Sequence, residues 1–320
     1  MCDQLPSHLL CIACGQHAEY GNSLTGNRGW LSSRIASYRP GAGCEDIWLA
    51  QALIIEQALL FNEPIAGVTL DFSKAFDRVP VHILLELAAT LGVSPGIVTG
   101  MRGMYTQLRR RWKVGPFVGQ EFTSSNGILQ GCPLSVVMLN MLIHIWIGSV
   151  EKAVPTATPS GYADDLGAIA RGTRAIKRVL EVTKRFCLLT GMKLNAGKSG
   201  VWATSKALRL QLINSCCVDG VPIPLLWEDR CLGAYMSFSR RKTQGRVQRT
   251  KKEWEAILGR IEGLGLHLEA RAHLVAAMAL PKALYAAGVT VPNKQQLNHL
   301  RARCARTVWG QANEWRSVEA

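Results

Sequence analysis

Residues 161 to 170 read Gly-Tyr-Ala-Asp-Asp-Leu-Gly-Ala-Ile-Ala, two adjacent acids set between apolar residues. Asp164 and Asp165 repel one another when ionised, so a chain that keeps them in a half-buried hairpin normally brings a cation there. Along a regular strand neighbouring side chains point to opposite faces, whereas at a turn both can approach one point. The segment therefore reads as two short strands hinged at the aspartates. Asp71 ends another apolar stretch, Ile65 to Phe72, expected as a buried strand. Three carboxylates from two strand ends can hold two Mg²⁺ ions about 3.5–4 Å apart, the arrangement that stabilises in-line phosphoryl displacement. An isolated Asp-Asp more often caps a turn, so the neighbouring segments have to decide.

Those neighbours alternate irregularly between helix and strand. Apolar residues recur at helical spacing from Glu45 to Asn62, with Asp46 suited to the first turn. A helix is expected after Phe72 as far as Leu91, ended by Gly92, and another from Pro95 to Arg110 capped by Ser94. A β-like stretch, Trp112 to Phe122, precedes the turn at 124–127. The run Leu134 to Val150 is nearly long enough to cross a bilayer, but it is short of about 20 residues and carries Asn140 and His144 on one face, so a buried core helix is expected. Thr173 to Thr190 reads as a helix stopped by Gly191, then a short strand near Val201 to Ala203, and from Gln244 onward the chain is mostly helical and basic. The order of elements implies α+β rather than a doubly wound sheet.

The chain has 320 residues, 48% of them hydrophobic, enough to bury a sizeable core. Thirty-seven Lys and Arg against 23 Asp and Glu leave a net charge of +14, which favours an anionic partner. Ten cysteines are mostly scattered, and the N-terminal residues lack the basic flank and apolar run of a secretory signal. Reduced thiols in an intracellular protein, nuclear or cytoplasmic, are expected. Basic residues cluster at Arg109-Arg110-Arg111 with Lys113, and again at Arg240-Arg241-Lys242 with Arg246, Arg249, Lys251 and Lys252. Tyr105, Trp112, Phe238 and Trp254 are interspersed, which suits tracking of a polynucleotide with occasional stacking; a solvated face is the plainer alternative.

Several blocks around the acids have a recognisable order. LDFSKAFDRV (Leu70 to Val79) is followed by NGILQGCPLSVVMLN (Asn126 to Asn140), GYADDL (Gly161 to Leu166), TGMKLNAGKSGV (Thr190 to Val201) and RCLGAYMS (Arg230 to Ser237). RPGAGCEDIWLAQALIIEQ (Arg39 to Gln57) precedes them and ALPKALY (Ala279 to Tyr285) follows. In this order they resemble the reverse transcriptases, most closely those of non-LTR retrotransposons and group II introns, over about Arg39 to Leu284. Ala-Asp-Asp alone is common; QGCPLS with YADD behind LDFSKAFD is highly specific.

The resemblance implies an α+β right-hand polymerase: an antiparallel palm sheet with packed helices over 39–238, partial fingers, a helical thumb over 239–320, and an irregular segment 1–38. It implies RNA-directed DNA synthesis from a primer 3′-hydroxyl, with an RNA template, a DNA primer, dNTPs and two Mg²⁺ ions (Mn²⁺ as the alternative), and no membrane. Asp71 and Asp164 would be the principal metal ligands, with Asp165 the third. Lys198 would act near the leaving pyrophosphate. Phe72, Phe76, Gln130, Gly131 and Pro133 would bind the incoming nucleotide, the Phe76 ring excluding a 2′-hydroxyl. Leu232 and Gly233 would hold the primer end. Phe76 also fits a helix core with Val79, Ile83 and Leu84, Gln130 also fits a helix cap, and Asp77 with Arg78 fits a local ion pair.

Triphosphate contacts upstream are not evident, although Arg28 and Arg34 are candidates, and the chain is expected to be a truncated copy. A catalytically decayed, nucleic-acid-binding remnant therefore stays open beside the polymerase. An RNA-directed RNA polymerase is the weaker alternative, opposed by QGCPLS and Phe76. Gly191 to Ser199 has one residue too many between its glycines for a phosphate-binding loop. Cys11 and Cys14, with His8, His17 and Cys2 near, have only fragmentary zinc spacing.

Overall fold

A computed structural model describes residues 31–106, 108–124, 126–213, 215–240 and 244–310. Arg28 and the Cys11/Cys14 pair lie outside them, as do Arg241 and Lys242. The chain divides into two compact units at Leu226/Trp227.

The first unit is ordered as α1 (Cys44–Leu60), β1 (Ala66–Asp71), α2 (Ala75–Arg78), α3 (Val81–Thr90), α4 (Pro95–Thr106), β2 (Arg109–Val114), β3 (Phe117–Thr123) and α5 (Pro133–Ala153). It continues with β4 (Ala157–Tyr162), β5 (Asp165–Ala170), α6 (Thr173–Thr190), β6 (Gly200–Ala203), α7 (Lys206–Leu212), β7 (Cys217–Val218), β8 (Val221–Pro222) and β9 (Leu225–Leu226). The central sheet runs β4-β5-β1-β6-β9. Its first four strands are antiparallel as expected, but β9 pairs with β6 in parallel and makes the sheet mixed.

Helices α5 and α6 pack on one another and on this sheet. On α5, Leu139, Leu142, Trp146, Ile147 and Val150 are at most 1% exposed, and the indole of Trp146 donates to Thr183 Oγ1 of α6 at 3.0 Å. A buried tryptophan N–H without such an acceptor would forfeit a hydrogen bond. By length and composition α5 is the one helix among the described residues that could cross a membrane, yet 61% of its most apolar stretch is buried. It serves as the core helix. His144 accepts from the Ser32 N–H at 3.0 Å, so its ring is hydrogen-bonded where it sits on that helix. Gly191, at φ 69°, stops α6 where expected.

Two segments depart from the sequence reading. The helix expected to run from Phe72 to Leu91 breaks into α2 and α3, because Pro80 cannot donate into a helical ladder and forces Val79 to ψ 123°. The helix expected to reach Arg110 ends at Thr106, and the stretch beyond it folds as a β2–β3 ribbon with a register shift between Arg111 and Lys113.

The second unit begins with the hairpin β10 (Glu228–Cys231) and β11 (Ala234–Ser237). Helices α8 (Gln244–Glu262), α9 (Leu268–Leu274), a π-helical turn Val275–Ala279, α10 (Leu280–Leu284) and α11 (Lys294–Trp309) complete it. Trp254, Leu258, Ile261, Val275, Ala279 and Leu300 form its core. Residues 227–238, grouped above with the sheet region, fold here with the helices.

Candidate active site

The register of the ladder places the acids. Strand β1 pairs with β5 so that Asp71 lies opposite Asp165, and β5 pairs with β4 so that Asp165 lies opposite Tyr162. Cross-strand partners share a face, and like charges directly opposite destabilise a sheet unless something compensates them. Between Tyr162 and Asp165 the chain reverses within two residues. Ala163 takes φ 52°, the left-handed region that a non-glycine residue enters only when its surroundings require it.

A buried polar network supplies that requirement. Ala163 N–H donates to Ser37 Oγ at 3.0 Å, Ser37 Oγ donates to Asn140 Oδ1 at 2.7 Å, and Asn140 Nδ2 donates to the Ser37 carbonyl at 2.8 Å. Ser37 and Asn140 are 0% and 1% exposed. Residues 34–36 run alongside β4 as well, with Gly161 N–H donating to Arg34 O at 3.1 Å and Ala36 N–H to Gly161 O at 3.2 Å. The turn carrying the paired acids is thus held from behind by Ser37 and residues 34–36, more than a hundred positions away, with Asn140 of the core helix bracing Ser37.

Asp71 is fixed through its main chain. Its N–H donates to Ser199 Oγ at 3.1 Å, and its carbonyl accepts from Asn195 N–H at 2.8 Å. These bonds carry the 193–199 segment to the end of β1 and with it Lys198.

One cleft of about 1030 Å³ gathers most of the residues singled out in the sequence. Asp71, Phe72, Phe76, Gln130, Gly131, Pro133, Asp164 and Lys198 all line it. Asp165 does not, being exposed on the ladder beside it. Phe72 is 3% exposed, with its ring 6.2 Å from that of Phe186 in the core. Phe76 is half-buried and both packs on the core and faces the cleft. Gln130 is exposed on the wall, and Gly131 takes φ 85°, a turn conformation suited to glycine. Behind them Tyr105 Oη lies 3.3 Å from Ser135 Oγ and accepts from Leu129 N–H at 3.4 Å. Burial pushes the Tyr105 phenol above its usual pKa, which keeps it a neutral brace.

Among the other lining residues, Tyr38, Arg39 and Lys74 had no role expected from the sequence. Arg39 donates to Ser33 O at 3.0 Å and Ile35 O at 3.3 Å, and Lys74 stands in the left-handed region at φ 52°; Tyr38 lies beside Arg39. The available signals were position alone, Lys74 inside LDFSKAFD and Arg39 just ahead of the Gly-rich turn. Arg34, a candidate for the same chemistry, instead meets Glu151 at 3.6 Å and is absent from the cleft wall.

Among the described residues, the salt bridges of the first unit join Arg34 to Glu151, Arg109 and Arg111 to Glu121, Arg171 to Glu63 and Arg178 to Glu181. None involves Asp71 or Asp164. Asp71 and Asp164 line the same cleft as Arg39, Lys74 and Lys198, so carboxylate oxygens and positive charge are offered within one space. Mg²⁺ takes hard oxygen donors, commonly one or two carboxylates plus substrate phosphates, so the donor set fits that ion. Among the described residues no group of three or more His, Cys, Asp or Glu is gathered closely enough to hold a metal by itself.

Leu232 and Gly233 lie in the second unit, at the β10–β11 turn, with φ 47° and 87°. Tyr285 Oη donates to the Leu232 carbonyl at 2.6 Å, and a Cβ at Gly233 would come within 2.9 Å of the Tyr285 ring. Glycine is therefore required there twice, by its backbone and by its neighbour.

Residues 29–221 match the family described as reverse transcriptase (RNA-dependent DNA polymerase). The chain is 23% identical over 171 residues to the Retrovirus-related Pol polyprotein from type-2 retrotransposable element R2DM of Drosophila melanogaster, covering 52% of this chain and 16% of that protein. It is 25% identical over 233 residues to a Retrovirus-related Pol polyprotein from type-1 retrotransposable element R2 of Popillia japonica, covering 68% and 32%. It is 25% identical over 188 residues to the Transposon TX1 uncharacterized 149 kDa protein of Xenopus laevis, covering 54% and 14%. The chain thus spans less than a third of the length of these relatives. Among solved structures, telomerase from Candida tropicalis in complex with a TWJ fragment of telomeric RNA aligns with 96% of this chain and 56% of that one, at 11% identity and a TM-score of 0.49.

The network behind Ala163 has a measurable consequence. Ser37→Ala removes one acceptor and one donor from a buried site, and is expected to lower stability in urea unfolding by about 1–3 kcal/mol. An unchanged midpoint and slope would show that the turn is held by something else.

Proposed function

The chain belongs to the reverse transcriptase family, and from that premise we propose that it extends a primer 3′-hydroxyl on an RNA template with dNTPs, as part of a mobile element. The observation that carries this reading is the convergence of Asp71 and Asp164, from two adjacent strand ends, on one cleft with Phe76, Gln130, Gly131, Pro133 and Lys198.

The role of each residue follows from its place. Asp71 and Asp164 would hold divalent ions, with Asp165 beside them on the ladder as the third carboxylate and substrate phosphates completing the coordination. Mg²⁺ held there would supply positive charge against the negative charge that builds up as pyrophosphate leaves. Arg39, Lys74 and Lys198 bring positive charge to the same cleft and orient the triphosphate, Lys198 serving the leaving group. Gln130, Gly131 and Pro133 would bound the nucleotide within the same cleft. Phe76 lies under the sugar and leaves no room for a 2′-hydroxyl. Phe72 contributes through its main chain, because its ring belongs to the core. In the second unit, the Leu232-Gly233 turn, fixed by Tyr285, would be the part that holds the primer end, a role that rests on the family resemblance alone. Mn²⁺ is expected to substitute for Mg²⁺, since it accepts the same donors.

The test is primer extension on an RNA template with Mg²⁺ and dNTPs. Asp164→Ala with Asp165→Ala is expected to reduce extension by at least about a thousandfold, since metal ions contribute several kcal/mol to such transition states. Extension that survives the double substitution would sink the metal-site assignment. Failure of the folded parent chain to extend a primer-template that it binds would instead favour a nucleic-acid-binding remnant. Phe76→Val is expected to raise ribonucleotide over deoxynucleotide incorporation, and an unchanged ratio would remove the gate role.

A further inference from the structure

The β2–β3 ribbon is open to solvent along nearly its whole length, with only Arg110 and Phe122 partly covered. Trp112, Val114, Phe117 and Val118 are 72%, 73%, 78% and 56% exposed. A two-stranded ribbon is marginal by itself in water, and soluble proteins seldom cluster large apolar groups on open surface without a use for them.

The ribbon is nevertheless held in place. Trp112 stacks on Phe122 with centroids 5.6 Å apart and planes at 20°. Arg109 and Arg111 each reach Glu121 at 3.0 Å, closing the ribbon from strand to strand. Arg110 Nη2 donates to the Gly127 carbonyl at 3.0 Å, tying its base to the segment that leads into Gln130 and Gly131 on the cleft wall.

Charge narrows the occupant. Arg109, Arg110, Arg111 and Lys113 face a single acid, Glu121, leaving the ribbon strongly cationic. A second copy of the ribbon would bring the same surplus and be repelled. A duplex offers phosphates but hides its base faces, so it would leave the rings uncovered. A single strand offers both, phosphates for the cations and unstacked bases for the rings.

We propose that the β2–β3 ribbon is a docking surface for single-stranded polynucleotide, with bases stacking on Trp112 and Phe117 and phosphates meeting Lys113 and the arginines. The inference rests on the polymerase reading only for the origin of the strand, which would be template outside the cleft.

The test is fluorescence anisotropy at fixed salt with three probes: an unstructured oligoribonucleotide, the matching oligodeoxyribonucleotide and a blunt duplex. Trp112→Ala with Phe117→Ala is expected to weaken single-strand binding about 5- to 100-fold and to leave duplex binding unchanged. Trp112→Phe with Phe117→Tyr, which keeps the rings, should retain it. A loss confined to RNA or to DNA supports the proposal and identifies the strand. Unchanged single-strand affinity, an equal loss for duplex, or a dimeric parent that the alanine variant makes monomeric in sedimentation would each overturn it. An alanine variant that extends primers and binds single strands like its parent fails this inference alone. A parent that binds single strands through these rings yet never extends a primer fails the polymerase reading alone.

Discussion

The pairing of β1 with β5 is the constraint on which the rest of the site depends. A shift of one residue would send every side chain of β1 to the other face and separate Asp71 from the ladder position of Asp165. The register is fixed from both sides. Val68 and Leu70 on β1, with Leu166 and Ala168 on β5, are each at most 4% exposed, and β6 pairs along the other edge of β1. Apolar burial thus does the aligning, and the carboxylates come together where the apolar run ends. Acids placed by a rigid sheet keep their geometry without a substrate to organise them.

Around that pairing the chemistry is distributed by distance in the sequence. Asp71 and Asp164 come from strand ends, Lys198 from a loop bonded to Asp71, Arg39 from the segment before the first helix, and Gln130 to Pro133 from the entry to the core helix. Each arrives through main-chain hydrogen bonds rather than ion pairs. That leaves Asp71 and Asp164 outside the salt bridges of the described residues, while Arg39 is steadied by the Ser33 and Ile35 carbonyls.

Local features were legible in the sequence because they follow from local rules. The hairpin at Tyr162 to Asp165, the strand ending at Asp71 and the stop of the long helix at Gly191 were all read from alternation, composition and a left-handed glycine. The break at Pro80 was equally local and was passed over. The β2–β3 ribbon was half seen, since Trp112 to Phe122 read as β-like but Arg109 to Arg111 were assigned to the preceding helix. What no local rule could supply was the Ser37–Asn140–Ala163 network, in which Ser37 comes from more than a hundred residues before the other two. Asn140 was noticed only as a polar residue in an apolar helix. Its purpose, to satisfy and fix the turn beneath the paired acids, appears once the chain is folded. The placement of 227–238 with the C-terminal helices was hidden for the same reason, because it depends on Tyr285 and Thr290 reaching back to Leu232 and Tyr235.

The central claim is that Asp71 and Asp164 are the principal metal-holding pair, with Asp165 subordinate to them. It is tested most directly by titrating Mn²⁺ into the dNTP-bound protein and following the free ion by electron paramagnetic resonance. Asp71→Asn and Asp164→Asn are each expected to weaken binding by at least about tenfold, with a smaller effect for Asp165→Asn. Binding by the Asp71→Asn and Asp164→Asn proteins as tight as that of the parent would contradict it.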